Sequence, residues 1–512
     1  MRDFRTLQPL AAAASETVAI RHPVARRLTH ELGDDPVARW LLMAACVALA
    51  VGIGSLGTLR PRLTLAACLA LAVIVCVSVR PALGGYLLIG LTPLTAGIDR
   101  GHAIPLFRPS EALALAVGVA LSTRAISRWR TGSLPRWRPS PVEWALILMA
   151  LSNSVLPMLW MTIRHQAITQ DDLLYALVMW KFAGFYLIVR SSITTNRQVL
   201  RCLWFSVGAG SIVAILAILQ SLQLFGVPRL LAAYYAPFGY TGALDHARGS
   251  STLALPAATA DLLVYNLAIV SGLWLRGRRH RPSLAVATVL FAFGALSAGE
   301  FSSAIGLVVG ICCIAVVTSY PRLLALFVPL AGAAVVLLRP VIAARVSGFE
   351  SVSGLPVSWT GRLDNLRSYF WPKLFSDGNF LFGVRPSARV PVSYQATGYV
   401  WIESGYTWLL WGGGIPLVVC FVFFVQAAAR LGWRVARHSV QPPSAAALAV
   451  FVSVIVMTVL MLFDPHLTYR GAAEEMFALL ALAAVHERRS NDATNDYTNE
   501  YSESVSKTEA RL

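Results

Sequence analysis

The residues best suited to chemistry begin with two arginines in the run GRLDNLRSYFW, residues 361–371. Arg362 and Arg367 are five positions apart, so a helix would place them about 140° apart around its axis. They share no stripe, but they could converge on a ligand from two sides. Guanidinium groups bind phosphate bidentately and stay charged at all relevant pH values. The alternative is a solvated helix face on which one arginine pairs with Asp364.

A third candidate for anion binding is Arg248, which lies in DHARGSSTLALP, residues 245–256. Small residues around it would let the free amides of a helix N-terminus approach an anion. The alternative is an interfacial arginine that reaches toward lipid headgroups. Glu300, in LSAGEFSSAIG (residues 296–306), is expected to support the site by holding an arginine such as Arg248, or else to reach water.

The candidate base is Glu403, at the start of WIESGYTWLLWGGGIP, residues 401–416. A partly desolvated carboxylate at the entrance of a helix could accept a proton. The alternative is a helix N-terminal acid that the macrodipole stabilises. The glycines at 412–414 are expected to allow close helix packing rather than to bind phosphate, because no strand precedes them.

Two further ionisable residues, Lys181 and Asp261, fall inside predicted helices, and an ion pair between them is the simplest expectation. Four histidines are expected on the outer side of the membrane: His102, His165, His246 and His466. They are scattered and lack a spacing such as HExxH, so we predict neither a metal site nor a cofactor.

The composition restricts the elements that can position these residues. Of 512 residues, 56% are hydrophobic and only 13% are charged, about half the charged fraction of soluble domains. This excludes a soluble globular enzyme and a disordered chain. The net charge is +17, and nearly all the basic residues are arginines that cluster between apolar runs. That pattern is typical of membrane loops rather than of nucleic-acid binding, so no nucleic-acid partner is expected.

The fold class predicted from these features is all-α, a polytopic bundle of about 12–14 transmembrane helices with one large periplasmic loop. The candidate spans are residues 39–58, 63–79, 82–98, 110–123, 142–162, 172–189, 202–222, 252–275, 283–299, 303–318, 322–338, 405–426, 444–463 and 472–486. Loops assigned to one side carry more arginine than loops on the other, so the positive-inside rule places both termini in the cytoplasm.

These patterns predict five segments along the chain, with the bounds and locations that follow. Residues 1–38 form a cytoplasmic N-terminal segment and 39–338 hold about eleven helices. Residues 339–402 form the large periplasmic loop, 403–486 hold the last helices, and 487–512 form a disordered cytoplasmic tail. Long loops in compact proteins are usually functional, and an excess of arginine on the outer side suggests an acidic partner there.

The order of these motifs resembles the bacterial O-antigen ligase and polymerase superfamily of integral membrane glycosyltransferases. ARGSSTLALPAATADLL is similar to the family's arginine-glycine-proline segment, whereas LSAGEFSS lacks the arginine of its serine-arginine pair. GRLDNLRSYFWPKLFSDGNFLFGV resembles the loop signature, and ESGYTWLLWGGGIP resembles the entry to the following helix. Together these motifs cover roughly residues 240–420.

The resemblance implies transfer of a sugar chain from an undecaprenyl-pyrophosphate donor to an acceptor hydroxyl, on the periplasmic side of the inner membrane. It implies no metal and no nucleotide sugar. On this basis Arg248, Arg362 and Arg367 are expected to bind the pyrophosphate, and Glu403 to act as base or to position the acceptor. Trp371 and Tyr406 are expected to stack on sugar.

The partners implied are the lipid-linked oligosaccharide, a glycan acceptor, the lipid bilayer and, for polymer length, a possible regulator. Ligases that act on lipid A-core carry a loop histidine, and this chain has no histidine between His280 and His438. That departure favours a polymerase, or an unusual ligase. A lipid-linked oligosaccharide flippase would also use arginines, but along a deep cavity, and a secondary transporter would show repeated halves.

Overall fold

The computed structural model describes residues 61–485, except residues 103, 105–106, 131–138, 236–247, 277–280, 394–397, 440–441 and most of 323–356. Residues 1–38, the predicted span 39–58 and the tail 487–512 lie outside the described residues, as does most of the span 322–338. The described part divides into two units. The first, Met1–Leu69, contributes the beginning of helix α1, and the second, Ala70–Leu512, holds all other described elements.

The described chain is mostly helical. The helices are α1 Pro61–Val79, α2 Ala82–Thr95, α3 Pro109–Arg130, α4 Pro141–Ile163, α5 Gln170–Ser192, α6 Asn196–Ser221, α7 Val227–Tyr234, α8 Pro256–Arg276, α9 Arg281–Ser297, α10 Phe301–Thr318, α11 Val357–Asn365, α12 Trp371–Phe375, α13 Asn379–Phe382, α14 Gly405–His438, α15 Pro443–Leu460 and α16 over residues 472–485. Two strands, β1 Arg389–Pro391 and β2 Tyr399–Trp401, pair antiparallel.

Eight of the described helices are long and apolar enough to cross a membrane: α3, α4, α5, α6, α8, α10, α14 and α15. Helices α1, α2 and α9 are shorter but also apolar. The chain is therefore a multi-pass membrane protein built as a helix bundle, as the composition predicts. Among the described residues, one end of the bundle holds the C-terminal ends of α2, α4, α6, α9 and α15 and the N-terminal ends of α3, α5, α8, α10, α14 and α16. Residues 357–402 lie at the same end. We call it the loop end.

Several helix starts follow from local capping. Ser140, Thr169 and Thr195 each precede a helix, and each accepts a hydrogen bond from the backbone N–H three residues later. The side chains at those third positions bind back to the capping residue, so α4, α5 and α6 all begin with a capping box. These signals fix the ends that face the loops.

Helix α8 begins later than the predicted span 252–275. Ser251–Leu253 form a 3-10 turn, Ala254 takes a positive φ of 57°, and Pro256 then opens the helix. Buried polar bonds hold the turn in place, with Ser251 N–H donating to Gln220 Oε1 at 2.7 Å and Thr252 Oγ1 donating to the Pro93 carbonyl at 2.8 Å. Irregular backbone is stable inside a bundle when its polar groups are satisfied in this way.

The centre of the bundle is formed by α8, α15 and α16. Every residue of α16 is buried, including Glu474 and Glu475, and helix α8 packs against α6, α9, α10 and α15. Peripheral helices keep apolar side chains exposed toward lipid; Phe205 and Ile212 of α6 are examples.

Helix α14 is interrupted at the predicted glycine run. Gly414 has φ 65° and ψ −158°, and a Cβ there would overlap the backbone of Leu381. The Trp411 carbonyl accepts hydrogen bonds from the N–H groups of Val384 at 2.7 Å and Arg385 at 3.3 Å. A Cβ on Gly413 would come within 2.5 Å of the Ser152 carbonyl in α4. The expectation of close packing at 412–414 is therefore confirmed.

Replacement of Gly414 by alanine is expected to lower the free energy of unfolding by at least about 2 kcal/mol, because strain and overlap add at this position. The measurement is the apparent Tm of purified protein in detergent. Gly208→Ala is the matched control, since a Cβ at Gly208 would meet no atom of a described residue within 4 Å. Equal Tm values for the two variants would contradict this account of the kink.

Candidate active site at the loop end

The candidate site is centred on Arg362 of α11. Its Nη1 lies 2.7 Å from Oδ2 of Asp464, and its Nε lies 3.7 Å from Oε1 of Glu403. Asn365, one turn further along α11, donates from Nδ2 to Oε2 of Glu403 at 3.4 Å. Two residues predicted for the site, Arg362 and Glu403, are thus brought together. Asp464, in the connection between α15 and α16, was not predicted.

The packing of α11 explains how Arg362 reaches these acids. Trp359 stands edge-on to Phe301 of α10 at 6.3 Å between ring centroids, and packs on Phe463 at 5.2 Å. Phe463 immediately precedes Asp464. The aromatic contacts therefore hold α11 across the connection that carries the acid, and Arg362, three residues after Trp359, lies one turn along the same helix face.

Arg362 and Asp464 differ in how firmly each holds its charge. Burial raises the pKa of Asp464 to about 6, although Arg362 and His466 oppose the rise. Burial alone would lower the pKa of Arg362, but Asp464 and Glu403 more than compensate and raise it. The arginine is therefore firmly charged, whereas its closest carboxylate takes up a proton near neutral pH.

Beside this pair lies a buried aspartate–histidine pair. His466 Nδ1 is 2.6 Å from Oδ2 of Asp261 in α8, and both side chains are 1% exposed. Burial would lower the pKa of His466, but the Asp261 carboxylate outweighs it and raises the pKa. The His466 Nε2 atom is buried and has no hydrogen-bond partner in the part of the chain that the structure describes. Such a pair holds the imidazole in one orientation.

The predicted ion pair between Lys181 and Asp261 is wrong. Lys181 Nζ instead binds Oε1 of Glu474 in α16 at 2.8 Å, while Asp261 binds His466. Both partners belong to residues 466–474, which enter the centre of the bundle between α5 and α8. Each buried charge therefore meets a nearer group of opposite sign.

A pH dependence of stability follows from the raised pKa values. Folded Asp464 binds a proton more tightly than in the unfolded chain, so its contribution to stability is complete below pH 3.8 and is lost as pH rises through about 6. His466 adds a loss at higher pH, because its folded pKa is also raised. The rise of the Asp464 pKa from 3.8 to about 6 corresponds to a loss of roughly 3 kcal/mol in the free energy of unfolding as the carboxyl ionises.

The measurement is the apparent Tm of the wild type and of Asp464→Asn between pH 4 and 8. The wild type is expected to lose stability between pH 4 and 6 relative to the variant. The later loss from His466 remains in both proteins but is complete at lower pH in the variant, because Asp464 also raises the pKa of His466. Parallel pH curves over the lower range would contradict the raised pKa of Asp464.

The other predicted site residues differ in how far they contact Arg362 and its acidic partners. Arg367 and Arg248 are exposed. The neighbour of Arg248, Gly249, donates its N–H to the Ser297 carbonyl at 2.9 Å, which places this segment beside the turn that carries Glu300. Glu300 accepts a hydrogen bond from Ser302 at 3.4 Å and acts electrostatically on Asp464.

The two aromatic residues predicted to stack on sugar are both half-buried. Trp371 donates from Nε1 to Oγ1 of Thr407 at 3.4 Å. Tyr406 donates its hydroxyl to the Thr458 carbonyl at 2.9 Å and meets Phe421 edge-on. Both side chains therefore make internal contacts in this state, with only part of each ring accessible.

Comparison of the chain with protein-family models, with curated proteins and with solved structures finds no match. The geometry of this chain itself therefore carries the functional argument.

Part of the arginine excess at the loop end is used inside the protein. Arg385 forms a bidentate pair with Asp172, at 2.9 and 2.6 Å, and Arg389 pairs with Asp171 while its guanidinium lies over Tyr399. These two arginines fasten residues 385–389 to the start of α5. Because Asp172 and Asp171 match their charges, Arg385 and Arg389 do not contribute to the excess of arginine from which an acidic partner was expected.

The sequence offered a weak signal for the missed residues. Asp464 and His466 lie in FDPHLTYRG, a polar interruption between two apolar runs, and His466 was expected only as one of four scattered histidines. Among the described residues, no group of three or more His, Cys, Asp or Glu side chains is placed to hold a metal ion.

Proposed function

We propose that this protein is an integral membrane glycosyltransferase of surface polysaccharide assembly, and specifically a polymerase. It transfers a glycan from an undecaprenyl-pyrophosphate donor to a sugar hydroxyl of the acceptor. The reaction takes place on the periplasmic face of the bacterial inner membrane, with the loop end facing the periplasm. The observation that carries the proposal is the approach of Arg362 to Glu403 and Asp464 at that end.

The chemistry asks for a positive charge beside the leaving group and a base beside the acceptor. The acceptor oxygen attacks the anomeric carbon, the bond to the pyrophosphate oxygen breaks, and the pyrophosphate leaves with the electron pair. The acceptor proton passes to Glu403, whose side chain is 32% exposed and so accessible. A single displacement inverts the anomeric centre.

Arg362 is suited to the leaving group because Asp464 and Glu403 hold its guanidinium in place before the reaction. Its present partner, Asp464, is nearly buried and takes up a proton near pH 6. Protonation of Asp464 would free Arg362 for a phosphate oxygen. The exposed Arg367 and Arg248 are proposed to add charge around the same pyrophosphate.

The experiment is analysis of surface glycans and undecaprenyl-linked intermediates in a strain that lacks the protein. Accumulation of single repeat units with loss of long polymer supports polymerase activity. Long polymer that persists on the lipid carrier would mean a ligase, and an unchanged glycan profile would overturn the proposal.

Complementation with Glu403→Gln tests the base. We expect transfer to fall by about 10²–10⁴-fold while the protein level stays normal, because the amide cannot accept the proton. Full complementation by this variant would remove Glu403 from the mechanism.

A further inference from the structure

A second group of basic side chains, separate from Arg362, extends from the loop end to the middle of α5. Its cations are Arg100 and Arg108, between α2 and α3; Lys181, in the middle of α5; and Arg470, just before α16. Its acids are Asp99, Glu111 and Glu474. Among the described residues of this group, four cations stand against three acids, which leaves one positive charge in excess. We call these seven residues the second basic cluster.

The contacts show how the cluster is assembled from three parts of the chain. Arg100 and Arg108 both bind Oε1 of Glu111, at 2.9 and 2.8 Å, so two guanidinium groups share one carboxylate. Arg470 approaches Oδ1 of Asp99 only to 3.5 Å. Lys181 binds Glu474 and also acts electrostatically on Glu111. The acids gather the cations without matching them one to one.

The protonation energetics distinguish this cluster from the Arg362 site. Burial and neighbouring cations, offset only in part by the acids, lower the pKa of Arg108 and bring that of Arg470 to about 10. Arg362 and Arg389, in contrast, have raised pKa values because their acids match them. Positive charge is therefore under-compensated at Arg108 and Arg470. An added anion would be stabilised there by unscreened attraction.

Donor groups are also available. The Arg108 side chain is 11% exposed, and its buried Nε has no hydrogen-bond partner among the described residues. A buried guanidinium N–H without an acceptor is costly and is rarely left so unless a ligand or water completes it. Arg100, Lys181 and Arg470 are 29–37% exposed, so a ligand can reach the group.

We infer that Arg100, Arg108, Lys181 and Arg470 form a phosphate-binding site that takes the phosphate of a second lipid-linked substrate. Three arginines and a lysine suit a phosphate ester, since guanidinium forks bind its oxygens bidentately. Lys181 lies eleven residues into α5, so the site reaches into the apolar part of the bundle. The connection 461–471 joins this site to Asp464 and His466.

Assignment of the phosphate to the acceptor rests on the proposed function. The Arg362 site would hold the donor, and the second basic cluster would hold an acceptor that is itself linked to a lipid phosphate. Phosphate binding at the cluster does not depend on catalysis, so it can be tested without turnover.

The test is binding of farnesyl pyrophosphate to the full-length purified protein in neutral detergent, measured by calorimetry for affinity and stoichiometry. We expect two sites per chain. Arg108→Gln and Arg470→Gln should each weaken one site at least tenfold and leave the other intact, whereas Arg362→Ala should remove the other. Arg197→Gln, an exposed arginine at the start of α6, is the control for net charge and should change neither site.

A gain of affinity guards against variants that fail to fold. Glu111→Gln removes the shared carboxylate charge and should tighten the second site at least threefold, which misfolding cannot mimic. Unchanged affinity in Glu111→Gln, or a single site abolished by both Arg108→Gln and Arg362→Ala, would overturn the proposal. Equal competition by phosphatidylglycerol micelles would overturn the assignment to a substrate and leave a site for membrane phospholipid.

Failure of the two proposals can be told apart. Two binding sites together with an unchanged glycan profile in the deletion strain would reject the glycosyltransferase and keep the phosphate site. Loss of polymer with only one binding site would do the opposite.

Discussion

Replacement of Arg362 by alanine is expected to reduce glycan transfer by about a hundredfold or more, with near-normal protein levels. The guanidinium is the charged group that lies between Glu403 and Asp464, so its loss removes the positive charge that would stabilise the departing pyrophosphate. The measurement is polymer yield and length in the deletion strain that carries the variant.

A structural role for Arg362 predicts a different pattern. Loss of the arginine leaves Asp464 buried without this ion-pair partner, but the carboxyl can take up a proton, because burial raises its pKa and Arg362 no longer opposes the rise. The double variant Arg362→Ala, Asp464→Asn removes the unpaired charge. It should recover stability without recovering transfer. Lys373→Ala, an exposed cation of the same segment, is the matched control and should leave transfer unchanged. Normal polymer from Arg362→Ala would reject the assignment.

Replacement of Asp172 by alanine is expected to cost about 3–5 kcal/mol of stability, the largest structural effect among the ion pairs of the loop end. Its side chain is fully buried and accepts hydrogen bonds from Nε and Nη2 of Arg385 and from the backbone N–H of Ser387. It also accepts hydrogen bonds from the hydroxyl and the backbone N–H of Thr169. One carboxylate therefore caps α5 and holds the segment after α13. The variant loses the cap and leaves Arg385 unpaired.

The measurement is the apparent Tm, with limited proteolysis of residues 379–402 as a second readout. Asp171→Ala is the matched control, because it removes the same charge one residue away. Asp171 pairs with Arg389 but is 28% exposed, and exposed pairs are typically worth about 0–1 kcal/mol. Similar losses in the two variants would show that burial does not govern this contact.

The helices could be predicted from the sequence because apolar length is a local property. The runs that begin near residues 142, 172 and 444 correspond to α4, α5 and α15, with ends displaced by a few residues. Displacements of the ends have local causes that apolar length does not record. The 3-10 turn before Pro256 delays α8, and α14 continues to His438, with Arg437 and His438 in its last turn.

Which helices lie at the centre could not be predicted. Residues 472–485 are buried on every side although they include Glu474 and Glu475, whereas α10, which has no charged residue, keeps Val308 and Val316 exposed. Lipid chains and protein interiors are both apolar, so apolarity alone does not separate a central helix from a lipid-facing one. Only packing decides it.

The candidate site likewise has residues that the sequence predicted and residues that only the tertiary structure revealed. Residue type and position predicted Arg362 and Glu403, because a charge near the membrane is costly and needs a reason. Their approach, and the presence of Asp464 and His466 beside them, depends on helix ends that are distant in the chain: His466 and Asp261 are 205 residues apart. Sequence spacing carries no record of such pairs. The chain alone therefore determined a multi-pass helical membrane protein with unusual charges at its loops. The tertiary structure decided which charges meet, because burial forces each one to find a partner among the side chains that packing brings within reach.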